Sequence, residues 1–328
     1  MGTCCSSGHT IGSARHSYAA EADLSDISAT AGPSGTAHSG RVSGEYGGER
    51  YTGLIGPQSP QLSYSQQCLV GVARWPDPQY NQEHTTVQME YGLSFYNASR
   101  DLGQEIASGR IESFSQLWNR AREWRANVAG EDQEDFGEAR WPTRHVQEKT
   151  PLTGPYAFIR DKFSDKEGEI YHQHEDGTYS MCFPLRENLN GSDILLSRVI
   201  INSNPDKEKN EDSFARQVGH YDPFFISHTS SLNIEDIMNH VENLYNKAID
   251  PHLSESGFMK KLAAIHWWTA NAMPDKRGSA AKAELCVRAI AQARGMDLPP
   301  VRNGILADIE AMTTTRKEFV SRYSDFFD

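Results

Sequence analysis

Long apolar runs are missing from this chain of 328 residues. No stretch approaches the roughly 20 consecutive apolar residues that cross a bilayer as a helix, so no transmembrane span is expected. Positive charge is also in short supply. Lys and Arg number 32 against 44 Asp and Glu, a formal net charge of -12, whereas a nucleic-acid partner requires excess cations to meet its phosphates. A nucleic-acid footprint is therefore not expected, although local basic sites remain open. Cysteine is scarce, with five in all. Cys68, Cys182 and Cys286 are odd in number and far apart, with no zinc-ligand spacing, and read as buried thiols in a reducing cytosol rather than a disulfide framework. The chain also lacks internal repeats, the apolar stretch of a secretory signal and the Arg-rich amphipathic pattern of a transit peptide.

What is present begins with Met1-Gly2-Thr3-Cys4-Cys5-Ser6. Removal of Met1 exposes Gly2, with Ser6 where N-myristoylation prefers a hydroxyl, and Cys4 and Cys5 are placed for S-palmitoylation. One acyl chain holds a protein to a membrane only marginally, and a second makes the attachment stable. The expectation is a two-signal anchor on the cytoplasmic face of a membrane. Residues 7 to about 62 are dominated by Ser, Gly, Ala and Thr with almost no apolar periodicity. Such a stretch cannot bury enough surface to offset its ordering entropy, and is read as a flexible leader.

The remainder suits one large domain or two smaller ones. The run Cys68-Leu69-Val70-Gly71-Val72-Ala73 is closed by the prolines of Arg74-Trp75-Pro76-Asp77-Pro78. Helical periodicity covers 85–108 and 111–128; in the second, Phe114, Leu117, Trp118, Ala121 and Trp124 share one face. Trp118 and Trp124 read as core in preference to a ligand-stacking pair. After a polar acidic connection, 150–156 follows an irregular path fixed by two prolines and a glycine. Next, 169–174 and 178–183 around Asp176-Gly177 read as a β-hairpin, with 194–201 as a third strand, so the middle third is a small α+β subdomain. His172 and His174 share a strand face there and read as solvated rather than as metal ligands. Helices return at 234–249, 255–272, 279–293 and from Asp308 to the C-terminus, giving a mainly α chain.

Chemistry concentrates in Met273-Pro274-Asp275-Lys276-Arg277-Gly278-Ser279, a turn carrying two cations that enters the Ala-rich segment 280–284. Ser279 can cap the helix, Gly278 permits tight backbone geometry, and free N–H groups beside Arg277 suit a phosphate or pyrophosphate. The plainer reading is a capped interhelical turn with solvated charges. Asp308 follows the rigid turn at 299–304 and by position alone is a helix N-terminal charge. His228, in a segment without periodicity, is expected in a loop. His266, within an apolar helix, is expected to be a satisfied core histidine.

His266-Trp267-Trp268, 270–275, Arg277-Gly278-Ser279-Ala280-Ala281-Lys282-Ala283-Glu284, Leu298-Pro299-Pro300, Arg302-Asn303-Gly304 and Asp308-Ile309-Glu310-Ala311-Met312 together resemble the AvrB family of bacterial type III effectors, as does 67–77. The resemblance runs from about Cys68 to the C-terminus, weakens through the middle, and includes the acylatable start. It implies a bilobal fold with a Fic-like helical lower lobe at about 63–160 and 213–328 and an inserted α+β upper lobe at about 161–212, behind an acylated leader and secretion signal at 1–62. It implies a protein injected by a plant pathogen and held at the host plasma membrane. The chemistry implied is transfer of rhamnose from a nucleotide sugar such as UDP-rhamnose to a threonine of a host immune regulator guarded by resistance proteins, with no metal. AMP transfer is not implied, because 266–284 holds no His-Pro-Phe followed by Gly-Asn-Gly-Arg. By the resemblance, Arg277 holds the diphosphate, with Gly278 and Ser279 beside it. Asp308 positions the sugar or the attacking hydroxyl, and Thr150, Tyr156 and His228 line the cleft. One departure is His220, which stands before Tyr221-Asp222-Pro223 where the family pattern has Arg. The competing expectation is a non-catalytic adaptor that binds host regulators and kinases.

Overall fold

The computed structural model describes residues 61–81, 85–129, 136–140, 148–152, 154–173, 177, 179–202 and 224–328. The residues expected to be acylated, Gly2, Cys4 and Cys5, together with His174, expected on a strand, and the segment His220–Pro223, lie outside the described residues.

Helices dominate, and each long one shows why it forms. A short turn, α1 (Tyr64–Gln67), precedes α2 (Thr86–Ala107), which opens where the Thr85 hydroxyl accepts the Gln88 N–H. Its buried residues Phe95, Tyr96, Ser99, Leu102 and Ile106 recur at helical spacing. Helix α3 (Phe114–Ala129) buries Phe114, Leu117, Trp118 and Ala121 and receives the Glu242 carboxylate at its first N–H groups. Trp118 is core, and Trp124 packs on Tyr91 and Phe95.

Helix α4 (Ile234–Ala248) is amphipathic, burying Ile237, Val241, Leu244 and Tyr245 and placing Glu235 and Asp236 in its first turn. Helix α5 (Glu255–Ala272) is buried all round from Leu262 onward and forms the axis of the helical part. Around it pack α4, α6 (Ser279–Ala293), α7 (Ala307–Thr313) and α8 (Arg316–Arg322), while α2 lies along α6. His266 is the satisfied core residue expected: it hydrogen-bonds the Tyr323 hydroxyl at 3.0 Å, and burial pushes its pKa down to about 3. Cys68, Cys182 and Cys286 are buried thiols.

The five strands described form one antiparallel sheet, in the order β1 (Lys149–Pro151), β5 (Phe224–His228), β4 (Ser192–Asn202), β3 (Tyr179–Leu189), β2 (Glu169–Gln173). The expected hairpin and third strand are there, but β3 and β4 run eleven residues each. Their turn is Asn190-Gly191, both at positive φ (52° and 90°), the geometry that an Asn-Gly hairpin supplies. The sheet reaches beyond the expected insert on both sides, recruiting β1 and β5. The helical component of this region is the 3-10 segment Gly154–Phe163. Its Ile159 and Phe163 pack with Val199, Ile201, Phe224 and Ile226 of the sheet and Leu306, Ile309 and Met312 around α7. At the C-terminus, the expected single helix breaks at Thr314 into α7 and α8.

Candidate active site

His228 occupies the end of β5, not a loop, and the strand is buried throughout. An uninterrupted Phe-Phe-Ile-Ser-His run covered on both faces shows no alternation, which is why periodicity missed it. Antiparallel pairing brings β1 alongside, and the Thr150 hydroxyl and His228 Nε2 share a hydrogen bond of 2.7 Å. Burial, and secondarily the Arg140 guanidinium, push the His228 pKa down to about 3. The imidazole is therefore neutral at physiological pH.

Tyr156, on the 3-10 segment, meets Trp75 edge-to-face with ring centroids 4.9 Å apart. Burial, and then the negative charge of Asp308, raise its phenol to about 12, so it remains a hydrogen-bond donor. Asp308 stands in the first turn of α7, half-buried. Burial lifts its carboxyl to about 6, assisted by Glu284 and Glu310, while hydrogen bonds from the backbone of Ile309 and of Asp308 itself oppose the rise. A carboxyl that titrates near neutrality is suited to take and return a proton.

Arg277 projects from the turn between α5 and α6, its guanidinium carbon 4.8 Å from the centroid of the Phe136 ring. The Arg125 guanidinium lies 3.9 Å from the same ring. Gly278, at φ 71°, is the residue that enters α6, and a Cβ there would come within 2.7 Å of Phe136. Ser279 does not cap the helix as expected. Its buried hydroxyl turns back to Asp275, accepting that residue's N–H at 3.1 Å and donating to its carbonyl at 3.0 Å. The cap position went to Gly278 because only glycine takes its left-handed conformation beside the Phe136 ring without strain.

The expected residues thus fall into three local groups: Thr150 with His228, Tyr156 with Asp308, and Arg277 with Gly278 and Ser279. Residues that the sequence reading passed over join them. Arg140, buried, donates to the carbonyls of Ala272 and Met273 at the end of α5 and to that of Thr229 just after β5. It ties the strand carrying His228 to the turn carrying Arg277. Met273 packs against the apolar cluster that also receives Tyr156 and Trp75, and Glu284, further along α6 from Arg277, acts on Asp308. Two concavities, of about 210 Å³ beside Tyr96 and Asp297 and about 360 Å³ between α3 and α4, lie outside these groups. The candidate site is accordingly defined by its charges and its titrating groups. Among the described residues no group of His, Cys, Asp and Glu is arranged to hold a metal.

The model of the avirulence protein family AvrB/AvrC matches residues 3–328. The chain belongs to that family. Across 293 residues it is 35% identical to Avirulence protein B of Pseudomonas savastanoi pv. glycinea, an alignment covering 85% of this chain and 91% of the relative. The expected kinship of the segments around Arg277 and Asp308 therefore extends over nearly the whole chain.

Proposed function

We propose that this avirulence protein is delivered into plant cells, is held on the cytoplasmic face of the plasma membrane by acylation at Gly2, Cys4 and Cys5, and there glycosylates a host immune regulator. The donor is a nucleotide sugar, UDP-rhamnose or a close analogue, and the acceptor a threonine hydroxyl. The fold is read as bilobal and Fic-related, with the sheet forming the smaller lobe. The observation that carries the enzymatic reading is the Asp308 carboxyl: burial lifts it to about 6 beside the phenol of half-buried Tyr156, which shares an apolar cluster with Met273 at the start of the turn that bears Arg277.

In this reading, Arg277 and the backbone N–H groups at Gly278 and Ser279 take the diphosphate, and Trp75 and Tyr156 supply an aromatic wall. The acceptor oxygen attacks the anomeric carbon. The bond from that carbon to the diphosphate oxygen breaks with its electron pair, so the nucleoside diphosphate leaves as an anion beside Arg277. The hydroxyl proton passes to the Asp308 carboxylate. Neutral His228, buried and fixed by Thr150, adds no competing cation to the wall of the cleft.

The test is to incubate the full chain, and its Arg277→Ala variant, with UDP-rhamnose and a plant extract or candidate regulator, and to read the acceptor by intact mass. A deoxyhexose increment that disappears in the variant supports the transferase. No increment, with the host protein still captured, replaces it with the adaptor reading.

A further inference from the structure

Lys282 and Asp275 are both fully buried, at 0% side-chain exposure, with Lys282 Nζ 2.5 Å from Asp275 Oδ2. The ammonium also donates to the carbonyl of Phe136 at 2.9 Å and to that of Arg277 at 3.0 Å, so its three protons meet three acceptors. The Asp275 carboxylate in turn receives Arg122 from α3, through Nη2 at 2.7 Å and Nε at 3.1 Å. The backbone N–H and C=O of Asp275 are held by the Ser279 hydroxyl.

Such an arrangement is not explained by stability. A buried ion pair costs desolvation, and apolar groups of similar volume often serve a fold as well or better. What the pair supplies is position. One ammonium fixes two backbone carbonyls: that of Arg277, and that of Phe136, whose ring lies against the Arg277 guanidinium. Burial and the cations Arg122 and Arg125 lower the Lys282 pKa, and the Asp275 carboxylate opposes them.

We propose that Lys282, Asp275 and Arg122 are positioning residues which lock Arg277 and its aromatic rest, Phe136, into the geometry that grips a diphosphate. The claim rests on the reading of Arg277 as a donor-binding group, but the position of Arg277 can be tested without it. Two full-length variants are compared with the wild type. The first, Asp275→Leu with Lys282→Met, removes both buried charges together. The second, Arg122→Gln, alters only the partly exposed end of the network and keeps the test open should the first not fold. For each, the melting temperature, the Kd for UDP by calorimetry and the crystal structure are recorded.

The double variant is expected to melt close to the wild type, yet to bind UDP at least about tenfold more weakly, since displacements near 1 Å can cost up to a hundredfold in geometry-dependent sites. Its Arg277 should have left the Phe136 ring. For Arg122→Gln, an intermediate loss of about threefold is expected, within the usual range of indirect coupling. Arg277 still resting on Phe136 in these variants, or UDP affinity equal to that of the wild type, would overturn the positioning role. If the wild type itself does not bind UDP, it is the donor reading that fails, and the crystallographic position of Arg277 alone decides the proposal.

Discussion

The sheet side of the candidate site and its helical side are held by different physics. On the sheet side Thr150, half-buried on β1, and His228, on the buried strand β5, meet through an uncharged hydrogen bond, and burial keeps the imidazole neutral. On the helical side Asp275 and Lys282 keep their charges out of water, with the partly exposed Arg122 at the edge of the network, to fix the turn that carries Arg277. Asp308 stands between these extremes as a carboxyl poised near neutrality. A site that places an anion and moves a proton needs both kinds of support. In the proposed transferase, charge fixes the anion's place and low polarity tunes the proton's.

The largest expected difference comes from opening the charged side. Asp275→Ala strands the Lys282 ammonium in the interior and should cost about 3–5 kcal/mol of stability, read by urea unfolding. A loss no greater than that of a surface substitution would show that water reaches the ion pair. Arg277→Ala should leave the melting temperature nearly unchanged while lowering transfer by about 10²–10³-fold, as for removal of a group that stabilises developing charge. Gly278→Ala should cost about 1–2 kcal/mol through its left-handed backbone, and more if Phe136 cannot yield.

pH sharpens the comparison, because Asp308 and His228 shift stability in opposite directions. Asp308 rises from an ordinary 3.8 to about 6, so between those values the native state holds a proton that the unfolded chain has lost. Stability therefore falls as pH rises through that window. Above pH 6, Asp308→Asn should be more stable than the wild type by about 1–3 kcal/mol, and its pH-dependent loss across the window should vanish. His228 falls from 6.5 to about 3, so acidification through that interval protonates the unfolded chain first and removes stability. Denaturation midpoints of Asp308→Asn and His228→Gln between pH 3 and 7 should separate the two contributions. The smallest effect is expected from Thr150→Val, about 1 kcal/mol for one neutral hydrogen bond.

The same division explains what the sequence disclosed. The helices around Arg277 were legible, because α3, α4 and α5 show helical spacing and the Pro274–Gly278 turn separates α5 from the Ala-rich α6. Strands β1 and β5 were not: one has three residues, the other has no alternation, and their pairing joins residues 78 apart at Thr150 and His228. Lys282 looks like any surface lysine in an Ala-rich helix, and only the approach of Phe136, 146 residues away in sequence, makes it a buried tether. Arg140 was equally silent, since its acceptors lie 89 and more residues distant. Single residues whose role is to join distant segments leave no periodic trace. The Ser279 expectation failed for a related reason: serine before a helix is a good cap in isolation, but here the Asp275 backbone takes its hydroxyl.

The account turns on the helical side gripping a diphosphate, and the most direct test is calorimetric titration of UDP into the wild type and into Arg277→Ala at pH 7. Saturable binding by the wild type that is lost in the variant, with both proteins folded, is the predicted result. Equal binding by the two, or none by the wild type, would contradict it.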